Sequence, residues 1–377
     1  MDGIGIGLIG TGFMGKCHAL AYRAVSAVFA DVPAPRLAVL CDVPAPRAEA
    51  AARQFGFARA VDDWRALVAD PAVDVVAITT PNSLHREMAL AALAAGKHVY
   101  CEKPLSLTLE EAEEMAAAAA ATGTVTLVGY NYLRNPALTH AARLVADGAI
   151  GRPIHFRGIV DEDYMADPGL PWSWRCRRAE AGLGALGDMG CHLVSVATHL
   201  AGPIASLMAD VETVHAERPV PPGTTESGVA GSVDNDDIAT ALVRFRSGIS
   251  GMITTSRVAW GRKGRLAWEL HGDAGMLAFD QERMNELQLF QAGPDKALHG
   301  FKTILSGPAH PPYDAFLPAP GHGLGFNDQK TVEVAHLLRA VAGREAPHPD
   351  FAAALEIERV IHAIARSAAE GGRRVEP

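Results

Sequence analysis

The sequence predicts a two-domain α/β chain: a doubly wound parallel sheet first, then an α/β domain built on an open, mainly antiparallel sheet. Three observations predict it. Up to about residue 130, short uninterrupted apolar runs alternate with Ala-rich stretches, the pattern of strands buried on both faces with a helix between each pair. Beyond about residue 150 the runs lengthen and interleave polar with apolar residues, as strands with one wet face do. The chain's 377 residues, 49% of them apolar, supply material for two cores.

The predicted strands of the first domain, residues 1–130, are Ile4 to Ile9, Leu37 to Cys41, Val73 to Ile78, His98 to Cys101 and Val125 to Val128. Helices are predicted over His18 to Phe29, Pro46 to Phe55, Leu84 to Ala95 and Leu109 to Ala121. Gly96 and Gly123 stand where C-terminal glycines belong, and Thr108-Leu109-Glu110-Glu111 reads as a hydroxyl N-cap with a Glu at the third helical position. In the second domain, residues 131–377, Ile154 to Ile159, Ile238 to Phe245 and Ile249 to Val258 read as strands, the last two joined by an Arg246-Ser247-Gly248 turn. Helices follow at Gly190 to Leu200, Gln329 to Val341 and Phe351 to Ala369, the last placed where it can pack against both domains. Residues 218–234 and 292–325 read as long loops.

The formal net charge of −9 and the lack of a cationic run argue against nucleic acid or an anionic membrane as partner. No leader-like segment and no 18-residue apolar window is seen, so a cytoplasmic location is expected. Five scattered cysteines without a C-x-x-C pair suggest neither a disulfide framework nor structural zinc, and no metal is expected.

Gly10-Thr11-Gly12-Phe13-Met14-Gly15 follows the first strand and opens a helix, the context in which G-x-G-x-x-G marks a dinucleotide site in a Rossmann domain. Gly10 permits the tight turn, Gly12 lets backbone approach a pyrophosphate, and Gly15 allows close helix packing. The helix N-terminus then attracts the phosphates. A glycine turn serving packing alone is the competing reading. Asp42 closes the second run, where an acid accepts from adenosine ribose hydroxyls and repels a 2′-phosphate, so NAD is expected rather than NADP.

Ligands of a doubly wound sheet bind outside the carboxyl ends of its strands. One such end carries Thr79-Thr80-Pro81-Asn82 and leads to His85; another carries Glu102-Lys103-Pro104. Thr80, Asn82, His85, Glu102 and Lys103 are therefore expected at the cofactor. A lysine beside the nicotinamide end can hydrogen-bond a reacting hydroxyl and stabilise its alkoxide, though the three residues alone also fit a surface ion pair. In Gly182-Leu183-Gly184-Ala185-Leu186-Gly187-Asp188-Met189-Gly190-Cys191-His192, Asp188 and His192 stand four apart, on one face once the chain turns helical. That suits paired proton transfer; a solvated ion pair is the alternative.

These motifs, in order, resemble the glucose-fructose oxidoreductase, inositol dehydrogenase and rhizopine-catabolism (Gfo/Idh/MocA) family: G-x-G-x-x-G, T-x-P-N-x-x-H, E-K-P and G-x-x-x-x-G-D-x-G-x-H. The resemblance implies a Rossmann domain, an antiparallel-sheet domain, and a homo-oligomer, dimer or tetramer, assembled through the open sheet. It puts the catalytic lysine on Lys103 and the acid/histidine pair on Asp188 and His192. It also implies a cis Lys103–Pro104 bond aiming the lysine, and a cofactor or substrate contact at Trp174-Arg175. Many members carry an acid three residues after the histidine; here it is Ser195. Arg178 and Asn131 are further substrate-contact candidates, a guanidinium suiting a polyhydroxylated ring.

The expected activity is NAD-dependent oxidation of a secondary alcohol on a cyclic polyol or pyranose. The resemblance is strongest to inositol dehydrogenases, in particular scyllo-inositol dehydrogenases that also oxidise glucose-type sugars. Levoglucosan-type anhydrosugar dehydrogenation, NAD-dependent glycoside hydrolysis and a non-catalytic sugar-sensing regulator are the alternatives.

Overall fold

A computed structural model describes residues 3–221 and 230–377. The chain divides into two compact units, Met1–Arg134 with Gly325–Leu355, and Asn135–Leu324 with Glu356–Pro377. Residues 325–355, which sequence reading places in the second domain, thus belong to the first. The reason is tertiary: the Phe326–Val341 helix packs on the helix that follows the glycine turn, a pairing of residues some three hundred positions apart that periodicity cannot register.

The first unit holds six parallel strands, β1 (Ile4–Ile9), β2 (Pro35–Cys41), β3 (Arg59–Val61), β4 (Val75–Ile78), β5 (His98–Cys101) and β6 (Thr126–Val128). Their order, β3-β2-β1-β4-β5-β6, is that of a dinucleotide-binding sheet. Helices α1 (Phe13–Val28), α2 (Ala45–Phe55), α3 (Trp64–Val68), α4 (His85–Ala94) and α5 (Leu109–Thr122) connect them. Sequence reading missed β3 and α3, which at three and five residues are too short to show a period. Every residue of β4 is buried; fully burying one such side chain contributes roughly 1.5–3 kcal/mol. The predicted caps form: Thr108 Oγ1 accepts from the Glu111 N–H at 3.3 Å, Glu111 accepts from the Leu107 N–H at 3.0 Å, and Gly96 and Gly123 close α4 and α5 at φ +71° and +64°.

The second unit is built on an eight-stranded sheet of β7 (Pro153–Asp161), β8 (Ile204–Glu212), β11 (Ile238–Phe245), β12 (Ser250–Ser256), β13 (Arg265–Gly272), β14 (Gly275–Asp280), β15 (Glu286–Gln291) and β16 (Lys302–Leu305). Two further strands, β9 (Glu217–Pro219) and β10 (Ala230–Ser232), pair separately. The large sheet runs β16-β15-β14-β13-β7-β12-β11-β8, antiparallel except for the parallel pair β7 and β12. Alternate residues of β11 are buried, the signature of one covered face. Both predicted loops contain structure: β16 and the short helix Tyr313–Phe316 lie within 292–325, and β9 and β10 bracket the other, whose residues 222–229 lie outside the described ones.

Candidate active site

In the first unit, the carboxyl ends of β1, β2, β4 and β5 carry the predicted nucleotide residues. Gly10 sits at φ +97°, its N–H bonded to the Cys41 carbonyl at 2.9 Å, and a Cβ there would lie 2.8 Å from the Thr79 carbonyl oxygen. A Cβ on Gly15 would strike the Gly10 carbonyl oxygen at 2.2 Å, so α1 can approach β1 this closely only with glycine. At Gly12, the N-cap of α1, a Cβ would point into open space, and no side chain caps the helix or places an acid in its first turn. Uncapped amides at a helix N-terminus suit an anion, and this cradle fits a pyrophosphate. Phe13 is 72% exposed and stacks on Phe326 with centroids 5.8 Å apart, while Met14 is half-buried. Asp42 Oδ2 accepts from the Thr11 N–H at 2.9 Å and from its hydroxyl, and Oδ1 accepts from the Val43 N–H at 2.7 Å.

Lys103 is half-buried and the Lys103–Pro104 peptide is cis, as the family resemblance implies. Beside Pro104 lies His85, which the sequence places at the cofactor without disclosing its burial. His85 is fully buried, with Nδ1 3.0 Å from the Pro104 carbonyl oxygen and Nε2 3.0 Å from that of Thr80. Burial pushes its pKa down despite those carbonyls. The ring thus lies between the ends of β4 and β5, its one N–H donating to one of the two carbonyls. Thr80 Oγ1 lies 3.8 Å from Met88 Sδ, and Asn82, half-buried, opens a short 3-10 turn.

Glu102 turns inward. Lys330 Nζ donates to its Oε1 at 2.9 Å, to Glu333 Oε2 at 2.6 Å and to the Tyr100 hydroxyl at 3.1 Å, and His18 Nε2 lies 2.7 Å from the same Glu102 oxygen. Burial alone would raise the Glu102 pKa, but Lys330 and His18 outweigh it and hold the carboxyl far below its usual range. This network is invisible in sequence, since Lys330 and Glu333 look like the polar face of an ordinary helix. Asn131 is buried, and its Nδ2 has no hydrogen-bond partner among the described residues.

In the second unit, Asp188 lies in a π-helical turn, Leu186–Gly190, that leads into the helix Cys191–Ala201 bearing His192. Sequence spacing predicts an ordinary helical start; the wider π turn changes the angular offset between the two residues, and such turns recur at functional sites. The Tyr164 hydroxyl donates to Asp188 Oδ2 at 2.7 Å. Burial and the Asp188 charge push the Tyr164 pKa well up, so the phenol stays a donor. Ser195 Oγ donates to the His192 carbonyl at 2.7 Å.

A segment that sequence reading overlooked, residues 234–237, organises this region. Asp234 accepts from the Arg178 N–H at 2.5 Å; Asn235 donates to the Arg175 carbonyl at 2.9 Å; Asp236 accepts from the Gly184 and Leu186 N–H groups, both at 2.7 Å; and Asp237 pairs with Arg257 at 2.7 Å. A Cβ on Gly184 would lie 2.0 Å from the Asp236 carbonyl oxygen, which explains the glycine-rich approach. Three acids and an amide in four consecutive positions read as a solvated turn, yet Asn235, Asp236 and Asp237 are all buried. The Arg175 guanidinium lies 4.5 Å from the Trp174 ring centroid, and Arg178 is exposed.

All five cysteines are free and buried. Among the described residues no His/Cys/Asp/Glu group is arranged to hold a metal ion, and no helix is long and apolar enough to cross a membrane.

Two family descriptions match the chain: "Oxidoreductase family, NAD-binding Rossmann fold" over residues 4–130 and "GFO/IDH/MocA C-terminal domain" over residues 138–278. The chain belongs to the Gfo/Idh/MocA family and is an NAD-dependent oxidoreductase acting on CH–OH groups. Among its relatives, the levoglucosan dehydrogenase of Pseudarthrobacter phenanthrenivorans is 39% identical over 379 residues, covering 98% of this chain and 97% of that protein. A levoglucosan dehydrogenase solved with NADH and levoglucosan superposes with a TM-score of 0.95 at 38% identity, covering 100% of this chain and 99% of that one. The scyllo-inositol 2-dehydrogenase of Bacillus subtilis is 29% identical over 252 residues, 67% of each protein.

Proposed function

We propose that this protein is an NAD-dependent dehydrogenase of a levoglucosan-type anhydrosugar, oxidising a secondary ring hydroxyl to the ketone. The observation that carries this reading is the full-length likeness to levoglucosan dehydrogenase, 39% identity over 98% of the chain, against 29% over 67% for the scyllo-inositol enzyme. It favours the levoglucosan-type alternative over the inositol reading, which rests on overall resemblance.

NAD, when bound, supplies the hydride acceptor. The chain's own residues handle the hydroxyl. Lys103 donates to the substrate oxygen and stabilises the alkoxide as it forms. His192 takes the hydroxyl proton, with Asp188, itself fixed by Tyr164, as the group that sets the imidazole's orientation. The C–H bond breaks with its electron pair leaving as hydride, the O–H proton goes to His192, and the ketone remains. The roles of Lys103, Asp188 and His192 are part of the proposal. So are the contacts of Asn131, Trp174, Arg175 and Arg178, and the dimer or tetramer implied by family resemblance.

The test is NADH formation across levoglucosan, D-glucose, scyllo-inositol and myo-inositol, in the unaltered protein and in K103A. Levoglucosan should give the highest kcat/KM, and K103A should lower turnover about 10²- to 10⁴-fold. A higher kcat/KM on an inositol overturns the substrate assignment, and near-normal turnover of K103A overturns the role of the lysine.

A further inference from the structure

Arg257 directly follows β12 and is 1% exposed. Its guanidinium uses all three nitrogens on different acceptors: Nε donates to Asp237 Oδ1 at 2.7 Å, Nη2 to Asn235 Oδ1 at 2.8 Å and Nη1 to the Arg175 carbonyl at 3.2 Å. Asn235 Nδ2 donates to the same carbonyl at 2.9 Å, so guanidinium, carboxamide and carbonyl close a ring. A buried charge is tolerated only when its bonds are kept. The ring therefore fixes, from the buried side, the backbone of the Trp174–Arg175 turn, whose guanidinium and indole stack at 4.5 Å.

The same residue reaches two further segments. A Cβ on Gly184 would lie 2.9 Å from Arg257 Nη1, so the glycine-rich approach to Asp188 lies directly on the guanidinium. The Arg257 carbonyl accepts from the Met165 N–H at 3.0 Å, next to Tyr164, whose hydroxyl donates to Asp188 Oδ2 at 2.7 Å. Residues 164–165, 175 and 184–188, distant in sequence, thus share one anchor. Such placement matters where a proton moves, since a misplacement of about 1 Å can cost about 10²-fold in rate.

We infer that Arg257 is a positioning residue for the dehydrogenation: it sets the separation of the Trp174–Arg175 turn from the Asp188 turn, and so the place of the sugar relative to the proton-transfer pair. This role rests on the proposed function in giving Asp188 and His192 work at the sugar hydroxyl. A lysine cannot take it over, because a single ammonium lacks the planar fork that meets Asp237, Asn235 and the Arg175 carbonyl together.

The test is R257K, which keeps the charge, while Asp237 Oδ2 still accepts from the Val214 and His215 N–H groups. Hydrogen exchange on the full chain, without sugar or cofactor, should speed up at least about tenfold at residues 172–188 and stay within about twofold in β13 and β14. A role in stability alone would speed it throughout the unit. On whichever compound of the panel above the unaltered protein oxidises fastest, R257K should lower kcat/KM about 10- to 100-fold. N235A, which removes the carboxamide link to Arg175 and leaves the Arg257–Asp237 pair, should show the same pattern at smaller size, and it decides the matter if R257K fails to fold. Unaltered exchange at residues 172–188, an equal increase in β13, or kcat/KM within about twofold of the unaltered protein overturns the positioning role. The exchange needs no sugar and the compound is chosen by the unaltered protein's own rates, so failure of the anhydrosugar assignment and failure of this role are read separately.

Discussion

Glu102 in the first unit and Asp236 in the second are both buried carboxylates behind a candidate catalytic segment, and they are satisfied in opposite ways. Glu102 faces the Lys330 ammonium and the His18 ring; Asp236 faces backbone amides of Gly184 and Leu186. A charge met by a charge is balanced but costly to break, because removing either partner strands the other in a low-dielectric interior. A charge met by amides gives geometry: two N–H groups pointing at one carboxylate fix the chain that carries them, here the entry to the π turn of Asp188. The comparison teaches that the lysine segment is held by charge balance and the acid/histidine segment by backbone hydrogen bonds.

The largest effect that would break this comparison is K330M. It leaves Glu102 and Glu333 buried without their shared cation and should destabilise the protein by about 3–5 kcal/mol, read from urea unfolding. A loss below about 1 kcal/mol would mean that the network is not electrostatically coupled. D236A, which strands the Gly184 and Leu186 amides, should cost about 1–3 kcal/mol. Hydrogen exchange should speed up in residues 182–192 and stay unaltered in residues 96–106; exchange that speeds up equally in both would dissolve the distinction.

The smallest and sharpest effect is in pH, because the two carboxyls shift in opposite directions. Glu102 has a folded pKa below its unfolded one, so its stabilisation is present above the unfolded value and is lost as pH falls toward the folded one. Burial raises Asp236, although its amide donors pull it back in part. Its contribution is therefore present at pH below the unfolded aspartate value and is lost as pH rises through the folded one. E102Q should accordingly flatten the acid limb of the stability–pH curve, and D236N should flatten the rise in cost above the unfolded aspartate pKa, each by on the order of 1 kcal/mol. Identical curves for both variants would show the two sites to be electrostatically alike.

Much of the molecule is legible in order along the chain. The β1, β5 and β11 ranges, the terminal helix Phe351–Ala369, the Thr108 cap and the turn glycines all follow from local rules. The glycine turn is legible for the same reason, since Gly10 and Gly15 are demanded by contacts within a single strand-turn-helix unit. His85 is legible as a motif residue, but its burial between the Thr80 and Pro104 carbonyls is not.

Taken alone, the sequence determined the sheet classes and the family, because each depends on periods of two or 3.6 and on motifs a few residues long. Only the tertiary structure decided that Glu102 faces inward to Lys330, that the Phe326–Val341 helix belongs to the first unit, and that the 234–237 segment is a buried scaffold. The physical reason is common to all three. A polar side chain carries no local mark of whether it will meet water or a partner hundreds of residues away, and burial with its compensating bond is settled only when the chain closes on itself.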